Sequence, residues 1–227
     1  MTSTNDARQC EYWEAEHGFR RYDHPVVRAF ATQRIQFISR HVDLEAVRTV
    51  LDVGCGAGVS SFYYEQVVDS VHGIDRSDAM LADNPLPRER LHRGAAENLP
   101  FPDDSFDLVN AWELLHHVED PRCVLKEIAR VSREHVVVFE PNRYNPALAA
   151  FALLDREHRW ILRHSLRSLR RLAEGLGLDV RVARVVGCIF PNKTPWILLG
   201  GLKRIPFRLP VVGISNVLVC QKRGRVR

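Results

Sequence analysis

Gly54, Gly56 and Gly58 stand at alternate positions, two residues behind the acid of the apolar run Val50-Leu51-Asp52-Val53. Glycines so spaced let a chain turn tightly and bring its backbone close to a ligand. From Val59 the chain opens a helix whose first N–H groups have no intrahelical partners. Strand, glycine turn and helix start together make a site for a nucleotide-like cofactor, with Asp52, Gly54, Cys55, Gly56 and Gly58 as its candidate residues. Asp75 ends a second apolar run, Ser70-Val71-His72-Gly73-Ile74, 17 positions beyond Gly58. A carboxylate there can accept both hydroxyl hydrogens of a ribose and would repel a phosphate; its other reading is a cap for a helix through Ser77–Leu81. With the ribose on Asp75, Arg76 and Met80 border the adenine. A dinucleotide fingerprint needs a glycine at position 59, where this chain has Val59, so a NAD-type oxidoreductase is the weaker alternative. His116 and His117 could supply a general base, because imidazole titrates near neutral pH. Adjacent histidines diverge on a helix and no third ligand is near, so a metal site is not expected.

These residues need elements to hold them. Asp23-His24-Pro25 starts a helix in which Val27, Ala31, Ile35, Ile38 and Val42 recur at steps of three and four, giving one buried stripe. Ser105 to Ala111 reads as a strand, Asp120-Pro121 starts a further helix, and His135 to Glu140 is a fully buried strand preceded by a short turn at Ser132-Arg133-Glu134. Glu140, Asn142 and Arg143 follow at that strand's C-terminal end, where open α/β sheets bind ligands, and are read as substrate-side residues. Ser165 caps a helix ended by Gly177. Asp179–Val186 and Ser215–Gln221 are the last two strands.

Asp52-Val53-Gly54-Cys55-Gly56-Ala57-Gly58 resembles motif I of the class I S-adenosylmethionine (SAM) dependent methyltransferases. Arg93-Gly94-Ala95-Ala96-Glu97-Asn98-Leu99-Pro100-Phe101 with Ser105-Phe106-Asp107-Leu108-Val109 resembles the G-D-A-E-x-L-P-F…S-F-D-x-V segment of that family's quinone-biosynthesis and small-molecule branch. The match covers roughly residues 48–140. The resemblance implies a doubly wound, mostly parallel seven-stranded α/β sheet with an antiparallel last strand, SAM as cofactor, and methyl transfer by in-line displacement. It implies that the glycine loop holds the amino-acid end of the cofactor, that Asn110 and Ala111 face its methionine part, and that Glu113, His116 and His117 line the transfer pocket. The family's adenine-binding acid is replaced by Ala95, leaving the backbone of Ala96 and the side chain of Glu97 to contact the ring. An N-terminal helical cap over residues 1–44, on a core of 45–227, makes Tyr12, Trp13 and Tyr22 candidates for a lid on the substrate side. A methyltransferase-fold protein that binds SAM without turnover is the alternative in another functional class.

Composition bounds the rest. The chain has 227 residues and five scattered cysteines without a C-x-x-C pair, the expectation being a reducing cytoplasm and no zinc or disulfide framework. The first residues have no basic-then-apolar signal character, and no apolar run reaches the ~20 residues of a membrane span. Residues 156–227 hold 16 Lys or Arg against three Asp or Glu, and the first 155 hold 16 against 25. That asymmetry points to an anionic partner for the basic part, or to solvated helix faces. No N-P-P-Y-type motif is present and the cations are not interleaved with stacking aromatics, so nucleic acid is not the expected substrate. A small-molecule or lipid-like acceptor, anionic in one reading, fits better. Substrate-side elements are expected around 141–165 and 187–212. The apolar, basic, proline-broken stretch 188–210 suits peripheral membrane contact, a pocket wall for a greasy substrate, or packing on the sheet edge. Oligomeric state has no signature.

Overall fold

The computed structural model describes residues 19–154 and 157–223; the lid candidates Tyr12 and Trp13 lie outside them. One sheet of seven strands has the order β3-β2-β1-β4-β5-β7-β6. Strands β1 (Thr49–Val53), β2 (Ser70–Asp75), β3 (Leu91–Arg93), β4 (Phe106–Trp112) and β5 (Ser132–Pro141) run parallel. β7 (Ser215–Lys222) inserts antiparallel between β5 and β6 (Leu178–Val186). This is the expected doubly wound α/β sheet with its antiparallel last strand.

Alternation along the strands builds a core on each face. Val50, Leu108, Val137, Phe139, Val217 and Val219 point to one side, where helix α1 (Pro25–Ser39) and helix α2 (Val59–Tyr64) pack. Leu51, Val109, Val136, Val138, Leu218 and Cys220 point to the other. There α4 (Pro121–Val131) brings Val124, Leu125, Ile128 and Val131, and α6 (Leu166–Glu174) brings Leu169 and Ala173. Burying each of these larger aliphatic chains is worth about 1.5–3 kcal/mol. The remaining helices are short: α3 (Asp78–Ala82), α5 (Pro146–Leu154) and α7 (Leu199–Leu202).

The expected helix starts are formed by side chains that take up free N–H groups. The His24 ring accepts from Val26 N–H ahead of α1, Asp120 from Arg122 N–H ahead of α4, and Ser165 from Ser168 N–H ahead of α6. Two boundaries differ from expectation. The Ser132-Arg133-Glu134 turn is strand, because α4 runs straight into β5 through an extended Ser132 that already pairs with Phe106. Helix α6 closes at Gly175 and not at Gly177, which adopts the left-handed conformation two residues later. Sequence order reverses between β1 and β4, the neighbours whose C-terminal ends carry the glycine loop and Glu113. A crevice for ligands belongs at that switch point.

Candidate active site

A cavity of about 330 Å³ opens at this place. Its first wall is the glycine loop with the ends of β2 and β3: Gly54, Cys55, Gly56, Asp75, Arg76, Met80 and Ala96 all line it. Asp75 is fixed from both sides, Oδ2 accepting from Gly56 N–H at 2.9 Å and Oδ1 from Ser77 N–H at 2.9 Å. A carboxylate oxygen can accept more than one donor, and Asp75 lines the cavity. At Gly56, where φ is +48°, a Cβ would meet Met80 Cε alone, at 3.0 Å. The space beside the loop is therefore left open by the missing side chain, as a ligand approaching the backbone requires.

Gly58 and Asp52 do their work behind that wall. Gly58 has φ +79°, and a Cβ there would fall 2.4 Å from Pro85 Cδ and 2.6 Å from Asn84 Oδ1. Asp52 is fully buried and accepts from Ser60 Oγ (2.6 Å), Ser61 Oγ (2.6 Å) and Asn110 Nδ2 (2.8 Å). Burial pushes its carboxyl pKa up, and the three donors oppose that shift. Asn110 Oδ1 accepts in turn from Tyr64 Oη. This knot ties β1, α2 and β4 together and sets the loop's exit. Asn110 and Ala111 are buried in β4 and do not reach the cavity surface. Glu97 turns aside to an ion pair with Arg76 at 2.6 Å, which braces the Arg76 side of the wall.

The second wall comes from α1 and the end of β4: Val27, Phe30 and Arg34 with Trp112, Glu113, Leu114, His117 and Val118. Glu113 holds φ +57°, a left-handed conformation that costs a non-glycine residue roughly 1–3 kcal/mol. Its N–H still bonds Phe139 O, and its carboxylate meets Arg34 Nη2 at 2.5 Å. His117 lies on the cavity. His116, its neighbour at 3.9 Å between ring centres, is buried and bonded through Nδ1 to Glu140 at 2.9 Å. Glu140 is itself buried and also accepts from Leu115 and His116 N–H groups, so it holds the Glu113–His117 turn from behind.

The remaining substrate-side candidates lie apart from the cavity. Tyr22 packs its ring on Phe62 at 4.4 Å. Asn142 is buried and donates to Val211 O and Gly213 O, and Arg143 is exposed over Tyr144. Instead the mouth is roofed by Phe19 and Arg20 with Pro191 and Asn192. Arg20 fastens the roof, donating from Nη1 to Pro191 O (3.1 Å) and Thr194 O (2.7 Å), and from its backbone to Asn192 Oδ1. Arg34, Trp112 and Arg20 were not among the sequence candidates. Arg34 carried a signal: with Phe30, Ala31, Ile35 and Ile38 it shares the buried stripe of α1, an odd place for a guanidinium. Among the described residues, no group of three or more His, Cys, Asp and Glu is placed to hold a metal.

A methyltransferase-domain family model matches residues 51–139. Over 99 residues the chain is 33% identical to an uncharacterized methyltransferase of Bacillus subtilis, covering 40% of this chain and 39% of that one. Over 160 residues it is 32% identical to a ubiquinone biosynthesis O-methyltransferase of Hahella chejuensis, covering 65% and 63%. The chain thus spans between about two fifths and two thirds of the length of these relatives. A solved SAM-dependent methyltransferase structure from Thermotoga maritima superposes with a TM-score of 0.65 at 20% identity, covering 87% of this chain and 91% of that one. Sheet order, glycine loop and matched segment agree: residues 51–139 match a methyltransferase domain, and the chain has the fold of SAM-dependent methyltransferases.

Proposed function

We propose that the cavity binds SAM along the glycine-loop wall and a small, largely apolar acceptor along the α1 wall. The observation that carries this reading is Asp75, a carboxylate held by two backbone N–H groups at the edge of an open, glycine-lined crevice. Bound SAM would supply an electrophilic methyl group to the acceptor by in-line displacement.

The chain's own residues align and desolvate. Gly54 to Gly56 offer backbone, Asp75 accepts from the ribose hydroxyls, and Met80, Ala96 and Arg76 border the adenine. Val27, Phe30, Trp112 and Val118 exclude water from the reacting atoms, which in a transfer of this kind does most of the work. Where the acceptor carries a proton, Glu113 and His117 are the side chains on the cavity that can receive it. His116 positions the turn that carries them through its bond to Glu140.

The acceptor's character follows from the apolar second wall and from the stretch beside the mouth. Trp196, Ile197 and Leu198 are 73%, 73% and 54% exposed, and Lys193, Lys203, Arg204 and Arg208 surround them in sequence without an intervening acid. Three adjacent exposed apolar side chains among cations suit the surface of an anionic bilayer. Pro191 and Asn192, at the start of the same stretch, edge the cavity. A lipid-like acceptor could pass from such a surface to the site. S-adenosylhomocysteine titration tests the cofactor reading: it should bind and NAD⁺ should not compete, whereas competition by NAD⁺ would point to the wrong cofactor class.

A further inference from the structure

Arg34 is only 2% exposed, yet its guanidinium is satisfied on one side alone. Nη2 donates to Glu113 Oε1 (2.5 Å) and Ser215 Oγ (2.6 Å), whereas Nη1 is buried without a hydrogen-bond partner. The plane is clamped by aromatic faces, with the guanidinium carbon 3.9 Å from the Phe30 ring centre, 4.4 Å from Phe139 and 4.9 Å from Trp112. Trp112 Nε1–H is the second buried donor without a partner on this wall. Buried donors are nearly always paired, so two orphans on neighbouring side chains that both line one cavity mark a place for an acceptor atom from outside the chain. Glu113 adds to this picture, because its carboxylate takes up Nη2 and Nη1 is left without a partner.

We infer that Arg34 Nη1 and Trp112 Nε1 form a recognition site for an oxyanion, a carboxylate or an ionised hydroxyl, carried on a flat apolar body. The inference rests on the cavity being an acceptor site, as proposed above. Charge favours an anion over a neutral carbonyl. Arg20, the other cation on the α1 side, donates to main-chain carbonyls and has no carboxylate partner among the described residues. The rigid fork of a guanidinium binds planar oxyanions through paired, charge-assisted bonds. Phe30 and Val27 offer the apolar body a surface beside that fork.

The probes are 2-naphthoate and its uncharged counterpart 2-naphthalenemethanol, titrated calorimetrically with and without S-adenosylhomocysteine. Wild type should bind the acid about tenfold or more tighter than the alcohol. Trp112→Phe keeps an aromatic ring and removes the N–H. Any loss of packing weakens both probes alike, so a selective loss of about fivefold or more for the acid reads the hydrogen bond itself. Arg34→Lys keeps the charge and loses the fork, and should erase most of the preference. Equal affinities in wild type, no binding of the acid, or a preference untouched in both variants would overturn the site. A protein that prefers the acid and does not bind S-adenosylhomocysteine would retain the oxyanion site and lose the methyltransferase reading instead, so the two failures are distinguishable.

Discussion

At Gly58 an added methyl group would overlap both the Pro85 ring and the Asn84 amide, in a left-handed conformation that alanine resists. At Gly56 the same methyl group meets only the flexible end of Met80 and points into space a ligand would use. The two glycines therefore divide structure from binding. Gly58→Ala should lower stability by roughly 2–4 kcal/mol in denaturant unfolding. Gly56→Ala should lose less stability and more S-adenosylhomocysteine affinity, and the reverse order would contradict this division. The alternating glycines, Asp75 and the matched downstream segment were legible because loops of this kind need particular residues at particular spacings. The neighbours that share the knot with Asp52 were not, since Ser60, Ser61 and Asn110 meet it only after β1, α2 and β4 have packed. Arg34 was hidden for a related reason. Its position on a buried stripe is visible in the spacing, but the rings that hold it come from three separate elements.

Elements with a full apolar period were readable: α1, α4, α6 and the buried strands follow from spacing and capping residues. β3 was not, because three residues cannot display alternation, and it exists by pairing with β2 at Gly73, Ile74 and Asp75. That pairing stacks His72 on His92, with ring centres 5.6 Å apart and Nδ1 3.3 Å from Nε2. Burial lowers both pKa values below the ordinary 6.5, and His92 lowers that of His72 further. A depressed folded value means that the unfolded chain takes up these protons first. The stability contribution is therefore complete above about pH 6.5 and is lost as pH falls through the depressed folded values. The melting temperature should drop between pH 7 and pH 5, and His92→Gln should flatten part of that drop. An unchanged slope in the variant would remove the pair from the account.

Over the whole molecule, an acidic cofactor half and a basic C-terminal part coexist in one fold. The charge asymmetry was legible in the sequence; where the basic stretch sits was not. The structure places its beginning at the cavity mouth, with Arg20 tying Pro191 and Thr194 to the N-terminal segment. No helix among the described residues is long and apolar enough to cross a membrane, and the contact proposed for the basic stretch is one with a bilayer surface. The protein should sediment with vesicles containing phosphatidylglycerol, weakly with phosphatidylcholine alone, and lose sedimentation in a Trp196→Ser, Ile197→Ser variant. Equal behaviour of variant and wild type would leave this stretch as packing.

Asp75 carries the central claim, and calorimetric titration of S-adenosylhomocysteine into wild type and Asp75→Ala tests it most directly. The account predicts micromolar binding by wild type and a loss of about tenfold or more in the variant, the loss of a charge-assisted hydrogen-bond pair being worth roughly 1.5–3 kcal/mol. Equal affinity in a folded Asp75→Ala protein would show that the ribose is held elsewhere. Absence of binding by folded wild type would contradict the proposed cofactor site.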